Sequence, residues 1–271
     1  MMKGWIMGTK LREIQLCELE ILKEVVRICE KHDIDYWLAY GTMLGAVRHE
    51  GFIPWDDDLD IYMRREDFKK FEKICKTELS GDYFLQTQRS DPCIGNLFYK
   101  VRKNGTYMPE DGLREFGKKI HEGIWIDIFP IISASDDIRH RDMQITLLQK
   151  LQLMRFYHND ISKKRIRSYI RELVISLYEY YLWKRVLALG DKNSESVMAI
   201  SNCFYPHQEK QLPKTILKRN YFNSYAEYRF EDDIFHGIEQ YDEYLSHEYD
   251  EDYMVPKHFN QHVMDYSRVT L

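Results

Sequence analysis

The sequence predicts a mixed α/β (α+β) fold, in which one mixed sheet is flanked by helices and a helical insertion follows the core. Short aromatic and β-branched segments alternate with longer segments whose apolar residues recur at helical spacing. The middle of the chain, 136–190, is rich in Leu, Lys and Arg and indicates two helices. No internal repeat or low-complexity linker divides the 271 residues. A single domain, 1–271, is the economical interpretation.

Each element rests on a local pattern. Apolar residues at helical spacing predict helices at 10–31, 43–48 and 65–77. Aromatic or β-branched segments predict strands at 35–40, 58–63, 83–88, 96–102 and 123–129, the last closed by Pro130. The sequence therefore divides into a core of about 10–135, a helical segment of about 136–220 and a Tyr- and acid-rich segment of about 221–271.

Composition and charge exclude several classes of protein. The net charge of −5 gives no general basic footprint for nucleic acid. Five widely spaced cysteines without a C-x-x-C pair indicate neither a disulfide framework nor a zinc ribbon. No leader peptide or bilayer-spanning apolar segment is expected, so we predict a cytoplasmic protein. Its basic segment 138–190, with eleven Lys and Arg against four Asp and Glu, is either a solvated helical face or a surface for an anionic acceptor or the inner face of a membrane.

Four carboxylates lie within five positions, Asp56-Asp57-Asp58-Leu59-Asp60, between apolar residues. The alternation from Asp58 to Ile61 is the pattern of a half-buried strand, which places Asp58 and Asp60 on one face. Adjacent carboxylates are costly unless a cation neutralises them. The pattern predicts a site for a hard divalent ion, Mg²⁺ or Mn²⁺. An acidic strand end at the surface is the plainer alternative, and a calcium loop is disfavoured because its sixth position, which needs Gly, is Ile61.

Asp127 is a lone acid within the apolar strand predicted at 123–129. Burying a carboxylate is expensive unless it is paired or bound to metal. A third carboxylate on a neighbouring strand would complete a site for one or two divalent ions, which could orient a phosphoryl group and activate an attacking hydroxyl. The alternatives are an ion pair with a buried Arg, or a loop cap.

Further residues are candidate substrate ligands. The turn at Gly41 and Thr42 could let a phosphate approach helix N–H groups, although by itself it is equally an ordinary turn. The cations Arg48, Lys100 and Arg102 could hold phosphate oxygens, or could be solvated charges at a strand edge.

Two more candidates are aromatic. His49 could shuttle a proton or simply hydrogen-bond, and Trp55 could face a quaternary ammonium group or pack in the core. The pair His258 and His262 has the i,i+4 spacing of metal ligands, but it lacks a third soft ligand nearby, so zinc is disfavoured.

Three segments resemble the signatures of the LicD family. Residues 36–60 (YWLAYGTMLGAVRHEGFIPWDDDLD) closely resemble its first motif, and 123–130 (GIWIDIFP) resemble its second. The segments 239–249 (EQYDEYLSHEY) and 252–256 (DYMVP) are similar to its closing motif. One departure is that the family usually reads Tyr-Gly-Asp where this chain has Tyr249-Asp250-Glu251.

The resemblance implies a nucleotidyltransferase-superfamily fold and an enzyme, a phosphotransferase. Its donor would be a CDP-linked alcohol and its acceptor a hydroxyl of a cell-surface glycan, such as lipopolysaccharide or teichoic acid, with a lipid-linked acceptor near the membrane included. Phosphocholine is the first expectation for the transferred group, and ribitol or glycerol phosphate is the alternative. It implies Asp58 and Asp60 as the metal pair, Asp127 as the third carboxylate, and Gly41-Thr42 near the donor phosphates.

Two other functions stay open at this point. A glycosyltransferase also uses an Asp-x-Asp pair with a metal and a nucleotide donor, and a non-catalytic nucleotide- or glycan-binding protein could keep the fold without the chemistry. The sequence leaves open the donor head group, the acceptor, the number of metals, the roles of Asp56 and Asp57, and the oligomeric state.

Overall fold

The structure, a computed structural model, describes residues 2–91, 94–110, 120–158, 166–201, 209–256 and 265–271. This part of the chain contains six α-helices: α1 (Met2–Lys31), α2 (Tyr40–His49), α3 (Arg65–Glu78), α4 (Ile138–His158), α5 (Ile166–Leu189) and α6 (Tyr241–Tyr249). It also contains nine strands: β1 (Trp37–Leu38), β2 (Asp60–Arg64), β3 (Tyr83–Gln86), β4 (Tyr99–Lys103), β5 (Trp125–Ser133), β6 (Ser196–Ala199), β7 (Ile216–Lys218), β8 (Ala226–Phe230) and β9 (Asp233–Gly237). Short 3-10 helices lie at Glu209–Thr215, Arg219–Phe222 and Tyr266–Arg268.

Seven of these strands form one mixed sheet. Their order is β1-β2-β5-β4-β3, and β6 and β7 extend the sheet beside the far end of β5. Strands β2 and β5 are parallel, whereas the other pairings described within this sheet are antiparallel. Strands β8 and β9 form a separate hairpin. The predicted mixed α/β architecture is confirmed.

The long helix α1 covers the core with one apolar stripe. Ile14, Ile21, Val25 and Ile28 on this stripe are fully buried, as the helical spacing in the sequence predicts. The helix begins well before the predicted residue 10, at Met2. Burying this stripe, rather than intrinsic helix propensity, is what stabilises such a helix in a globular protein.

Strand β5 does not end at Pro130, as the sequence predicts; it runs to Ser133. Proline is tolerated because one edge of β5 changes partner there. Strand β4 pairs with β5 only as far as Ile128, and β6 pairs from Ile131 onward. The carbonyl of Pro130 accepts from Ile200 N at 3.0 Å on the β6 edge. The missing N–H therefore falls at the junction between β4 and β6, where the ladder needs no donor.

Two other expectations need correction. The strand predicted at 35–40 is reduced to Trp37–Leu38, because helix α2 already begins at Tyr40. The segment 136–220 is not wholly helical: α4 and α5 are present as predicted, but β6 and β7 follow them and join the main sheet. The hairpin β8–β9 within 221–271 was also not predicted. The alternation in these short strands is too brief to distinguish them from loops.

Helices α4 and α5 pack on each other and on the β6 end of the sheet through a second apolar cluster that includes Leu148, Leu151 and Val186. In the described ranges, no helix is long and apolar enough to cross a membrane. Cys17, Cys29 and Cys75 are free and buried. Cys93, Cys203 and the pair His258 and His262 lie outside the described residues.

The end of α6 carries a strained residue. Asp250 has φ 70° and ψ 169°, a conformation that glycine adopts freely and residues with a Cβ do not. The family pattern has Gly at this position. We expect Asp250→Gly to raise the free energy of unfolding by about 1 kcal/mol in urea denaturation. Glu251→Gly is the control, because Glu251 has no positive φ. An equal gain in both variants would contradict the strain argument.

Candidate functional site

Two of the predicted carboxylates lie side by side on the central strands. Asp60 at the start of β2 is in register with Asp127 of β5, and because these strands are parallel the two side chains share one face. Both residues are about 8% exposed. The sequence predicts Asp127 as a third carboxylate on a strand neighbouring that of Asp58 and Asp60, and the structure brings Asp127 and Asp60 together.

Asp56, Asp57 and Asp58 lie in the loop that precedes β2, which α1 and the C-terminal segment hold in place. Gln15 on α1 donates to the carbonyl of Asp56 at 2.9 Å and to that of Ile53 at 3.3 Å. Tyr266 donates to Asp57 Oδ2 at 3.1 Å. Asp58 precedes the strand instead of lying within it, so its place at the site follows from the loop and not from the alternation.

The acids repel one another strongly. Burial, with repulsion from Asp58 and Asp127, raises the pKa of Asp60 well above its ordinary value. Burial and repulsion from Asp58 and Asp57 raise the pKa of Asp56 to about 8. Asp58 is exposed, and desolvation together with repulsion from Asp57 and Asp127 raises its pKa to about 6. Mutually raised pKa values of this kind mark carboxylates whose ionised forms a nearby cation would stabilise.

Lys100 offsets part of this negative charge. It is about 4% exposed and its Nζ lies 3.1 Å from Asp127 Oδ1 and 3.4 Å from Oδ2. Only the contact with Oδ2 has hydrogen-bond geometry, and among the described residues Oδ1 has no hydrogen-bond donor. Burial raises the pKa of Asp127, and Lys100 limits that rise. The alternative of a buried ion pair for Asp127 is thus what the structure contains, with Lys in place of Arg.

Arg102 is not positioned as a phosphate ligand. Its side chain is fully buried, and its guanidinium donates to Gln86 Oε1 at 2.6 Å, to the Gly123 carbonyl at 2.8 Å and to Glu110. The sequence correctly places Lys100 and Arg102 on one face of a strand, but Trp125 covers that face. The centroid of the Trp125 ring lies 4.1 Å from Lys100 Nζ and 4.7 Å from Arg102 Cζ. Arg102 therefore belongs to the supporting structure behind Lys100.

Gly41 and Thr42 lie in the first turn of α2, beside the acids. A Cβ on Gly41 would come within 2.7 Å of Asp56 Oδ2, so any larger residue here would require the Asp56 carboxylate to move. Thr42 Oγ1 accepts from Asp60 N at 2.8 Å and ties the helix to the start of β2. No side chain caps the helix at Ala39, and Tyr40, which begins it, has a positive φ of 44°. The strained turn presents the helix N-terminus toward the acidic loop.

The other predicted residues form one side of this site. Arg48 Nη1 donates to the Tyr253 carbonyl at 2.6 Å, and burial lowers its pKa while Tyr249 and Asp56 oppose that shift. His49 packs edge-on against Trp55, with ring centroids 6.3 Å apart. Burial and the neighbouring Arg48 lower the pKa of His49. These three residues thus lie together beside the acidic loop.

Sequence reasoning missed Glu18 and Tyr249. Glu18 is a carboxylic acid on the buried stripe of α1, about 1% exposed, and burial plus the four aspartates raises its pKa well above normal. The signal was an acid at a core position of an amphipathic helix, four residues after Ile14 and three before Ile21. Tyr249 at the end of α6 has its hydroxyl oxygen 4.0 Å from where a Cβ on Gly41 would lie.

In the parts of the chain that the structure describes, no three His, Cys, Asp or Glu side chains are gathered closely enough to hold a metal ion as they stand. The donor chemistry nevertheless suits a hard cation. Asp58, Asp60 and Asp127 offer carboxylate oxygens whose mutual repulsion Lys100 relieves only in part, and Oδ1 of Asp127 accepts no hydrogen bond from the described residues.

Glu248 on α6 makes stability depend on pH. Its carboxyl group is buried, its Oε1 has no hydrogen-bond partner in the described ranges, and burial raises its pKa to about 8 although Lys214 opposes the rise. The unfolded chain releases this proton near pH 4.5 and the folded chain near pH 8, so stability is lost as the pH rises between these values.

We expect Glu248→Gln to flatten the profile of unfolding free energy between pH 5 and 8. At pH 8 it should stabilise the protein by a few kcal/mol, because each unit of pKa shift corresponds to about 1.4 kcal/mol. Urea denaturation at several pH values measures this. Glu227→Gln, on the exposed face of β8, should keep the wild-type slope. An unchanged slope for Glu248→Gln would mean that this carboxyl is already ionised near pH 5.

Comparison with known proteins places this site in a family. Residues 33–169 match the family described as "LicD/FKTN/FKRP, nucleotidyltransferase domain", which covers 137 of the 271 residues, just over half. The match includes every residue of the predicted site. The resemblance to the LicD family is confirmed.

Individual relatives match over shorter segments. A lipopolysaccharide cholinephosphotransferase LicD from Haemophilus influenzae is 46% identical over 77 residues, 28% of this chain and 29% of that protein. The ribitol 5-phosphate transferase FKRP is 40% identical over 62 residues, 21% of this chain, in both mouse and human, and 13% and 12% of those proteins. The matched segments span less than a third of the relatives.

Proposed function

The chain belongs to the LicD/FKTN/FKRP nucleotidyltransferase family, and on that premise we propose that it is a phosphotransferase, moving a phospho-alcohol from a CDP-linked donor to a glycan hydroxyl. The observation that carries the proposal is the register of Asp60 with Asp127, beside Gly41 and the acidic loop. Two named relatives are transferases of cholinephosphate and ribitol 5-phosphate. We also propose for this mixed sheet the nucleotidyltransferase fold that the family name implies.

Phosphocholine is the favoured transferred group, because the cholinephosphotransferase is 46% identical over its match and the ribitol 5-phosphate transferase is 40% identical. His49 and Trp55 offer aromatic faces beside the site, which suit a quaternary ammonium through cation–π attraction. Ribitol phosphate is the second candidate, supported by the 40% identity to FKRP. Glycerol phosphate is the third.

The proposed site would hold Mg²⁺ or Mn²⁺ between Asp58, Asp60 and Asp127. A divalent ion bound there would neutralise charge on the donor pyrophosphate. The chain's own part is to hold the oxygen donors on one face through the β2–β5 register and through Gln15. The carboxylate side chains would have to gather more closely, since they do not form a finished metal site as they stand.

Phosphoryl transfer also needs a proton acceptor. As the acceptor hydroxyl forms its bond to the choline-bearing phosphorus, the bond to the CMP oxygen breaks and the hydroxyl proton must leave. Asp127 is the proposed base, as the alternative to its holding a metal ion, and Asp56 in the loop beside Gly41 is a second carboxylate for that role. Arg48 would offset charge on the phosphates, with Lys100 holding Asp127 in orientation.

The donor claim is tested by incubating the protein with CDP-choline, CDP-ribitol, CDP-glycerol and CDP-ethanolamine and measuring CMP release with and without a glycan extract. Acceptor-dependent release from one donor, strongest with CDP-choline, is the expected result, and it should disappear with excess EDTA. Release from none of the four would overturn the donor class. Release of a nucleoside diphosphate from sugar nucleotides would instead identify a glycosyltransferase, and binding without turnover a non-catalytic protein.

We further propose that the protein works in the cytoplasm at the inner face of a membrane, on a lipid-linked glycan such as a lipopolysaccharide or teichoic acid precursor. The exposed side of α5 supports this location: Leu173, Val174 and Leu177 are each about 60% exposed, and Lys150 and Lys184 lie beside Tyr178 and Tyr180. Apolar, aromatic and basic side chains together are typical of helices that lie in the membrane interface.

We expect Leu173→Glu combined with Leu177→Glu to reduce sedimentation with phosphatidylglycerol vesicles at least about tenfold, because burying charge in the interface removes the apolar gain. Val255→Glu, at an equally exposed apolar residue elsewhere, is the control. CMP release with a soluble acceptor should persist in both. Unchanged sedimentation of the α5 variant would contradict this location of the membrane contact.

A further inference from the structure

A cavity of about 590 Å³ lies at the other end of the central strands. Arg64 and Ile131 in its wall each follow their strand's aspartate, Asp60 or Asp127, by four residues. Four residues of strand correspond to roughly 13 Å. The cavity is therefore distinct from the acidic site, although the same two strands build both.

Its charged lining is predominantly basic. The titratable side chains of the wall are one acid and five bases: Glu66, Arg64, Arg65, Lys69, Lys192 and Arg219. Two of the bases have carboxylate partners. Arg64 Nη2 lies 3.1 Å from Asp35 Oδ2, and Lys69 Nζ lies 2.9 Å from Glu72 Oε2. The other three bases, Arg65, Lys192 and Arg219, outnumber the acid Glu66, so the net charge of the wall is positive.

Arg219 illustrates the imbalance. It donates to the carbonyls of Ser194 at 2.5 Å and Asp191 at 3.0 Å, and to Ser133 Oγ at 3.1 Å. These acceptors carry no formal charge, so they fix the guanidinium in the wall without neutralising it. A fixed, un-neutralised guanidinium is suited to attracting an anion.

Arg65 is the central residue. Its Nε is buried and has no hydrogen-bond partner among the described residues, and its guanidinium lies over the Trp183 ring, 5.3 Å from the centroid. Burial lowers the pKa of Arg65, with only partial compensation from the neighbouring Glu66 and Tyr99. A desolvated donor without an acceptor is costly, and an anion in the cavity would recover that cost.

The rest of the wall suits a larger ligand. Leu187, Val197 and Phe222 give it an apolar side that could hold an alkyl or glycerol portion. Helix α3 begins at Arg65 without a side-chain cap, so its N-terminal N–H groups contribute a positive field, which Glu66 and Asp67 in the first turn offset in part.

We infer that this cavity is a second binding site, for the phosphate group of a small ester or a lipid headgroup, with Arg65 as its principal ligand. The inference does not depend on the proposed transferase activity, since the residues that carry it are separate from the acids. It adds an anion site that would place a phosphate-bearing molecule at the far end of β2 and β5.

The test is calorimetric titration of the full chain with glycerol 3-phosphate and with inorganic phosphate, in wild type, Arg65→Met and Arg229→Met. Methionine keeps packing over Trp183 and removes the charge and the donors, and Arg229 is an exposed arginine on β8. We expect Arg65→Met to weaken binding about 10- to 100-fold, the equivalent of losing a charge-assisted contact. Arg229→Met should bind like wild type.

A second measurement separates folding from binding. Without phosphate, Arg65→Met should melt at the wild-type temperature or higher, because a partly buried charge whose Nε has no acceptor among the described residues is gone. Phosphatidylglycerol vesicles form the lipid arm: competition between vesicles and glycerol 3-phosphate, lost in Arg65→Met, would identify a lipid headgroup as the source. Binding of the soluble ester without such competition would identify a free ester.

Three results would overturn the inference. The first is that neither soluble phosphate binds to wild type at millimolar concentration. The second is that Arg65→Met binds phosphate as tightly as wild type does. The third is that Asp60→Asn loses phosphate binding while Arg65→Met keeps it. The last would place the anion at the acidic site. Failure of the CDP-donor assay with retained phosphate binding would affect only the proposed function.

Discussion

Replacing Asp60 with asparagine is expected to reduce acceptor-dependent CMP release by about a thousandfold or more. In the proposed site Asp60 and Asp127 lie in register on adjacent strands, and both are needed to hold a divalent ion at the donor pyrophosphate. Losing the several kcal/mol that such an ion supplies to the transition state corresponds to this factor. Asp58→Asn should behave similarly. Wild-type turnover in either variant would end the assignment.

The same variant offers an internal check on folding. In EDTA, Asp60→Asn should melt at the wild-type temperature or above it, because one of several mutually repelling carboxylates has been removed. Asp67→Asn, a partly buried aspartate on α3 away from the site, should keep full activity. A variant that is inactive but less stable than wild type would point to a structural role for Asp60.

Arg102→Met is expected to lower the free energy of unfolding by about 3–5 kcal/mol. The sequence predicts Arg102 as a phosphate ligand, but in the structure its role is to stabilise the fold. The fully buried guanidinium bonds to Gln86, the Gly123 carbonyl and Glu110, and its loss leaves these acceptors unpaired. Burial would raise the pKa of the Glu110 carboxyl, but Lys100 and Arg102 together hold it below its ordinary value. Urea denaturation at pH 7 measures the change.

The matched control is Lys103→Met. Lys103 is the next residue on β4 and pairs with Glu20 at the surface, so its loss should cost less than about 1 kcal/mol. Adding Glu110→Gln to Arg102→Met should recover part of the loss, because the stranded carboxylate is then neutral. If Arg102→Met were stable but bound CDP-choline poorly, the ligand role would be correct and the structural one wrong.

The sequence predicts the central part of the site because each of its signals is local. An acid flanked by apolar residues marks Asp60 and Asp127 as costly to bury, and two such acids in strands are expected to meet. Gly41 is likewise recognisable at a strand-to-helix junction. Helix α3 follows directly from apolar periodicity, whereas the two helices of the middle segment follow from its composition, which is rich in Leu, Lys and Arg.

What the sequence does not supply is which side of each strand is covered. Lys100 and Arg102 alternate correctly, yet only the tertiary packing of Trp125 against them reveals that they are buried. Glu18 becomes part of the site only because α1 packs across the acidic loop. Short strands such as β6 and β7 obtain their stability from the edge of β5, so nothing in their own few residues distinguishes them.

The loop from Glu50 to Asp57 is held from several directions. Glu231 accepts from Phe52 N at 3.1 Å and its own N–H donates to the Glu50 carbonyl at 2.8 Å, while Arg12 pairs with the Glu231 carboxylate. Gln15 fixes the far end of the loop. The conformational entropy of this segment is therefore lost when the chain folds, not when a ligand arrives. A preorganised loop lets binding free energy act on the phosphates instead of on ordering the backbone.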